Sequence, residues 1–271
     1  MKKLIIIIII AIGLAITFYF TVEPKREVTE ESNTNIVVNK SVVEVNKNIN
    51  STAKSEIVRW DDFGDGYVSD KTPPNCLEPL LLQTPVDLSQ VVNILYPGQE
   101  RGGDFKPHGG FRFADGTDED ILVTIPMDGW LLEGARYYEN GHLQYMFGFL
   151  NSCGIMYRFD HLYTLSDKLK ELADTLPEPK ENDTRTTRYS DVTQFTVGEV
   201  IATKVGEGDN VFVDWGVYDI RQKNGVLIDQ FDSLTEYGVC WFGLLNTEDE
   251  AMVRSLPAGD STSGSYSEYC S

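Results

Sequence analysis

Imidazoles are scarce in this 271-residue chain, which contains only His108, His142 and His161. Histidine is the side chain best suited to move a proton, or to ligate a transition metal, near neutral pH. His108 sits in FKPHGGFRF, between a proline and two glycines, and His161 sits in FDHLY. His142 falls in the turn-like ENGHLQ and is expected at the surface. Three imidazoles cannot assemble a His-rich zinc site, and the spacing of Asp, Glu and Cys suggests no other. Each histidine also has a plain structural reading: His108 as a donor to a backbone carbonyl, His161 as an inward polar group on a strand. Two charged residues belong to the same motifs, Arg112 four residues after His108 and Asp214 in VFVDWGVYD. A guanidinium has no lone pair and stays protonated, so Arg112 cannot ligate a metal. It can donate a bidentate pair of hydrogen bonds to a carboxylate.

The stretch from Phe105 to Gly129, FKPHGGFRFADGTDEDILVTIPMDG, resembles the opening of the lysostaphin/LytM-type zinc endopeptidase domain. The resemblance is carried by His108, Gly110, Phe111, Phe113, Gly116, Thr117, Val123, Pro126 and Asp128-Gly129. Three later stretches follow in the same order: Gly148 to Tyr163 ending in FDHL, Phe195 to Val205 with its turn at Gly198, and Val211 to Asp219. The resemblance implies three former metal-ligand positions, His108, Arg112 and Asp214. It implies two catalytic-histidine positions, His161 and Phe212, both vestigial. One ligand and one catalytic histidine are therefore replaced, which implies no cofactor, with zinc only under the alternative of a divergent peptidase. In the parent fold the Arg112 and Asp214 positions are close, so an Arg112–Asp214 ion pair is expected to fill the vacated metal site. The implied fold is mostly β: an antiparallel β-sandwich or partly open barrel of LytM type over about residues 100–220, with one inserted helix.

The N-terminus, MKKLIIIIIIAIGLAITFYFTVEPKRE, places two lysines before a charge-free apolar run. That run approaches the length needed to span a bilayer, and no small-x-small cleavage site follows it. Residues 1–22 are read as a signal anchor contacting the membrane through residues 4–22, with the lysines inside. A cleaved secretory signal is the other reading. Residues 23–58 lack the aromatic content to build a core and read as a flexible polar linker. Residues 59–245 are assigned to the domain with an N-terminal extension packed on its edge, and 246–271 to a C-terminal helix and tail. The formal charge of −19 argues against nucleic acid or anionic lipid as partner. Four cysteines, Cys76, Cys153, Cys240 and Cys270, lie on the exported side, where an even count favours two disulfides. Cys270 is expected to tie the polar tail to Cys240.

The elements that must position the motif residues are short strands with tight turns. Asn140-Gly141 signals a hairpin, and Asp61 to Gly66 reads as an acidic turn. Ser166 to Leu176 is expected to form a helix capped by Ser166 and stopped by Pro177. This helix and the charged loop after it would lie beside the mouth of the old cleft. QKNGVLID and EYGVCWFGLL are expected to add one or two strands, and NTEDEAMVRSL a short helix capped by Asn246 or Thr247. The leading functional expectation is a non-catalytic extracytoplasmic domain that binds a cell-envelope polymer, a peptide or an envelope enzyme. A divergent zinc endopeptidase and a structural surface protein are the alternatives.

Overall fold

The structure, a computed structural model, describes residues 56–117, 121–226, 234–259 and 264–270. The expected signal anchor at 1–22 and nearly all of the 23–58 linker lie outside the described residues. Among the described residues no helix is long and apolar enough to cross a membrane.

In chain order the strands are β1 (Trp60–Asp62), β2 (Tyr67–Ser69), β3 (Val91–Leu95), β4 (Gln99–Arg101), β5 (Asp104–Lys106), β6 (Gly109–Phe113), β7 (Val123–Thr124), β8 (Gly129–Glu139), β9 (His142–Leu150) and β10 (Ile155–Leu165). Helix α1 (Asp167–Ala173) precedes β11 (Thr187–Arg188), β12 (Gln194–Phe195), β13 (Val200–Val205), β14 (Phe212–Asp219) and helix α2 (Thr247–Ser255). Among the described residues ten strands form one sheet in the order β11-β8-β9-β10-β14-β6-β3, with β12 beside β8 and the β13–β7 pair branching from β10. The pairings within it are antiparallel. The β8–β9 turn uses Asn140 at φ 53° and Gly141 at φ 80°, the left-handed pair that a two-residue hairpin requires.

Alternation along the strands sorts the side chains onto two faces. Phe111, Phe147, Phe149, Tyr157, Phe159, Val213, Trp215 and Val217 are buried in the main core. The β13 and β7 residues Ile201, Ala202 and Val123 close over them, together with Leu169 and Ala173 of α1. Phe111 stacks on Trp215 at 5.8 Å, and Trp215 meets Trp241 at 4.5 Å. Each such ring contributes roughly 1.5–3 kcal/mol by burial. The opposite face carries Arg112, Gln144, Arg158, Asp160, Phe212 and Asp214, because the register sets Arg158 opposite Gly216, Asp160 opposite Asp214 and Asp214 opposite Gly110.

The expected helices form, but α1 ends at Ala173 with Asp174 as its C-cap, short of the expected Leu176 and Pro177. Ser166 caps α1 by accepting from Leu169 N, and Asn246 caps α2 by accepting from Glu248 N and Asp249 N. The loop after α1 runs along the outer edge of β8: Tyr138 N donates to Lys180 O, Asn182 N to Tyr138 O, Tyr189 N to Leu132 O and Leu131 N to Thr193 O. On the other side, Ile94 of β3 donates to Pro257 O and accepts from Gly259 N. The tail thus covers part of the second edge.

Two expectations change. EYGVCWFGLL is not a strand but two 3-10 segments, Thr235–Tyr237 and Trp241–Leu244. The run touches β14 only beyond the β6 pairing, where Gly238 bridges Tyr218 and Val239 N donates to Val217 O, and it then turns to sink Trp241 and Phe242 into the core. The described part of QKNGVLID, residues 222–226, is also irregular, with Asn224 donating to Thr235 O and Gly238 O. The N-terminal extension lies on more than the edge. Val58 and Trp60 join Trp130, Met156 and Tyr218 in a second apolar cluster, on the sheet face that carries Arg158 and Asp214. Cys76 pairs with Cys153 and Cys240 with Cys270, the state expected of a domain held in an oxidising compartment.

Candidate functional site

Beside that second cluster the polar face opens into a groove of about 1120 Å³. Its floor includes Tyr137, Glu139, Arg158, Asp160, His161, Phe212 and Asp214. One wall is the β4–β5 hairpin with His108, and the other includes Asp62, Tyr67, the loop residues Asn182 and Thr184, and Arg188 of β11. Arg188 ties that wall together by pairing with Asp61 at 3.0 Å.

A bulge in β10 sets the geometry. Phe159 pairs with Phe147 and Leu162 with Tyr145, so β10 fits three steps against two on β9. Asp160 and His161 are the two residues between these buried neighbours, and both line the groove. His161 accommodates the bulge at φ 61°, a left-handed conformation uncommon for a non-glycine residue. The Asp160 carboxylate accepts from the His161 backbone N–H at 2.8 Å and from the Tyr137 hydroxyl at 2.6 Å.

Asp214 is the centre of the site. Its Oδ2 lies 3.0 Å from His108 Nε2 and 3.5 Å from His161 Nε2. His161 Nδ1 is 2.7 Å from Gln144 Oε1 and 3.5 Å from Glu139 Oε2. Gln144 in turn donates to Glu139 at 2.8 Å. His108 Nδ1 faces an Arg158 guanidinium nitrogen at 3.3 Å, and Arg101 donates to the His108 carbonyl at 3.0 Å. The result is a continuous row, Glu139/Gln144–His161–Asp214–His108–Arg158.

The protonation states follow from the surroundings. Burial opposes a charge on His161, but Asp160, Asp214 and Glu139 outweigh it and push its pKa up to about 10. His161 is therefore an imidazolium with both ring nitrogens donating. Burial lowers the His108 pKa, Asp214 only partly offsets this, and Arg158 and Arg101 add to the lowering. His108 is neutral, and its contacts assign Nε2–H to Asp214 and the Nδ1 lone pair to Arg158. Burial would raise the Asp214 carboxyl, yet the two imidazoles hold it well below the usual carboxylate range. Burial and Asp160 together raise the Tyr137 hydroxyl far above the ordinary range, so it stays protonated and donates.

Four of the five motif positions, His108, His161, Phe212 and Asp214, converge here, with the Phe212 ring 4.2 Å from that of His161. Arg112 does not join them. It is opposite Phe212 in the ladder, its guanidinium lies 5.6 Å from the Phe212 ring, and it donates to Asn210 Oδ1 at 2.5 Å. The expected Arg112–Asp214 pair is corrected accordingly, because the carboxylate is turned to the two imidazoles. His142 is about half exposed and pairs with Glu207 at 2.6 Å. Tyr137, Glu139, Gln144, Arg158 and Asp160 were not singled out from sequence. The alternation of β8–β10 places most of them on the polar face, but the bulge that adds His161 leaves no sequence signal.

A three-ligand zinc site does not fit these residues. Of the three former ligand positions only His108 and Asp214 bear a ligating group, and Arg112 offers a guanidinium with no lone pair. Among the described residues no group of three or more His, Cys, Asp or Glu side chains is placed to hold a metal ion.

No protein-family model matches the chain, and no curated protein sequence matches it. Among solved structures it is similar to Helicobacter pylori Csd3 in an orthorhombic crystal, at 11% identity and a TM-score of 0.36, over 73% of this chain and 45% of that one. The chain thus spans less than half the length of the Csd3 chain it matches.

Proposed function

We propose that this chain is an extracytoplasmic domain of LytM-like design that binds its partner in the groove and does not hydrolyse it. The partner class is a cell-envelope polymer, a peptide or an envelope enzyme, and residues 4–22 would hold the domain at the membrane. The observation that carries this reading is the row through Asp214, in which groups suited to ligate a metal are instead spent on one another. A cationic His161 cannot serve as a general base, and a neutral His108 already committed to Arg158 and Asp214 has no lone pair to spare. What remains in the groove is a recognition surface. Lys106 and Arg158 offer donors, Glu133 and Asp160 offer acceptors, and Tyr67 offers an aromatic wall.

The test pairs metal analysis with binding. The full chain, purified without chelator or histidine tag, is expected to carry only trace zinc and to bind isolated envelope polymer. Lys106→Glu should weaken that binding. Near-stoichiometric zinc that disappears in His108→Ala would support the divergent-peptidase reading and overturn this one. Absence of both zinc and binding would favour a structural surface protein.

A further inference from the structure

We propose that the Cys240–Cys270 disulfide is a redox-sensitive clamp on the His108 wall of the groove, acting through the C-terminal tail. The inference rests on the groove being the binding site. The wall is the β4–β5 hairpin, a short two-stranded sheet of its own, and it leans on the tail. Gln99, which is buried, donates to Gly264 O at 2.5 Å and to Tyr266 O at 3.2 Å. Glu268 N donates to Gly98 O at 2.7 Å, and the Ser267 hydroxyl donates to Pro97 O. The Tyr269 ring meets Phe105 edge-on at 5.8 Å and lies against Gly98 so closely that a Cβ there would sit 2.6 Å from it. The Tyr269 hydroxyl reaches across to Thr235 O at 2.6 Å.

The hairpin transmits this support to the site. Arg101, buried at the end of β4, donates to Tyr96 O at 2.7 Å and to the His108 carbonyl at 3.0 Å. From disulfide to tail, to hairpin, to Arg101 and to His108, every link is a named contact. The described tail, residues 264–270, has no helix or strand of its own, and its covalent tie is the Cys240–Cys270 bond. The bond is also reachable. Cys240 and Cys270 are partly exposed, whereas Cys76 and Cys153 are buried. A dithiol will therefore reduce the tail bond first, becoming a disulfide itself and leaving two thiols, with no other bond changed. The tail then loses its covalent anchor and the hairpin its brace.

The experiment is backbone hydrogen exchange on the full chain, comparing the oxidised protein, a Cys240→Ser/Cys270→Ser double variant, and Ser267→Ala with both disulfides intact. Exchange across residues 97–107 is expected to rise by about tenfold in both variants, as a local opening unit would. Strands β10 and β14 serve as internal references and should keep their protection. Unchanged exchange at 97–107 in both variants would overturn the proposal. If the double variant loses protection in β10 as well, Ser267→Ala decides the matter. Polymer binding, measured with and without dithiothreitol, separates the two readings. Loss of binding on reduction supports the clamp acting on the site. Binding that survives reduction overturns that coupling. No binding under either condition removes the groove assignment and with it the functional side of the clamp, while the exchange data still judge the brace.

Discussion

The charge on His161 makes stability depend on pH in a way that can be worked out from the site. Unfolded, this imidazole loses its proton near 6.5; folded, it keeps it to about 10. Between those values the folded chain binds more protons than the unfolded chain, so raising the pH costs stability. The contribution is fully present below pH 6.5, declines through the interval and is gone above about 10. At 1.36 kcal/mol per pH unit the interval from 6.5 to about 10 corresponds to roughly 5 kcal/mol. Three carboxylates face the ring: Glu139 from β8, Asp160 from β10 itself and Asp214 from β14. Urea unfolding of the full chain at steps between pH 6.5 and 9.5 reads the slope, and His161→Gln supplies the control. The wild type should lose several kcal/mol across this range. The variant should start lower, because its carboxylates have lost their cation, and then stay nearly flat. His108 does not confuse the window, since its lowered pKa places its effect below 6.5. Equal slopes in the two proteins would refute the charge assignment for His161.

Two other outcomes are expected. In Gly110→Ala the new methyl would press into the Val213 carbonyl oxygen and lie 3.0 Å from Asp214 Cα, both backbone that cannot move aside cheaply. A loss of about 1–3 kcal/mol is expected in denaturant unfolding, along with a shifted His108 ring signal by NMR; wild-type stability and spectra would show that the strands are not this close. Replacing Cys76 and Cys153 with alanine opens a loop of 77 residues, and chain-entropy arguments put the cost at about 4–5 kcal/mol. A midpoint unchanged in calorimetry would count against that bond as a brace between the extension and the β9–β10 turn.

The parts of the fold written in local chemistry were legible from the sequence. Asn140-Gly141 makes its hairpin turn, Ser166 and Asn246 make their caps, and Cys270 finds Cys240. The last strand appears where VFVDWGVYD placed it. Features set by competition among non-local partners were not legible. EYGVCWFGLL has the composition of a strand, but it meets β14 in a single bridge, Gly238 to Tyr218, before the burial of Trp241 and Phe242 sets its course. Arg112 and Asp214 sit diagonally on adjacent strands, within reach of a long guanidinium side chain. Asp214 instead turned to two imidazoles, and Arg112 turned to Asn210 and the Phe212 ring. His161 joined the groove through an inserted residue in β10 that no periodicity argument detects.

The covering of the sheet's outer strands bears on how copies of this domain behave when crowded. An exposed strand is a template: its unused N–H and C=O groups will accept any extended segment, including one from an identical neighbour. Here the loop after α1 occupies that position along β8, and residues 257–259 occupy it at Ile94, toward the end of β3. Two molecules pressed side by side find little main chain to polymerise on at these strands. Association there has to be chosen by side chains, which keeps it selective and reversible at high local concentration.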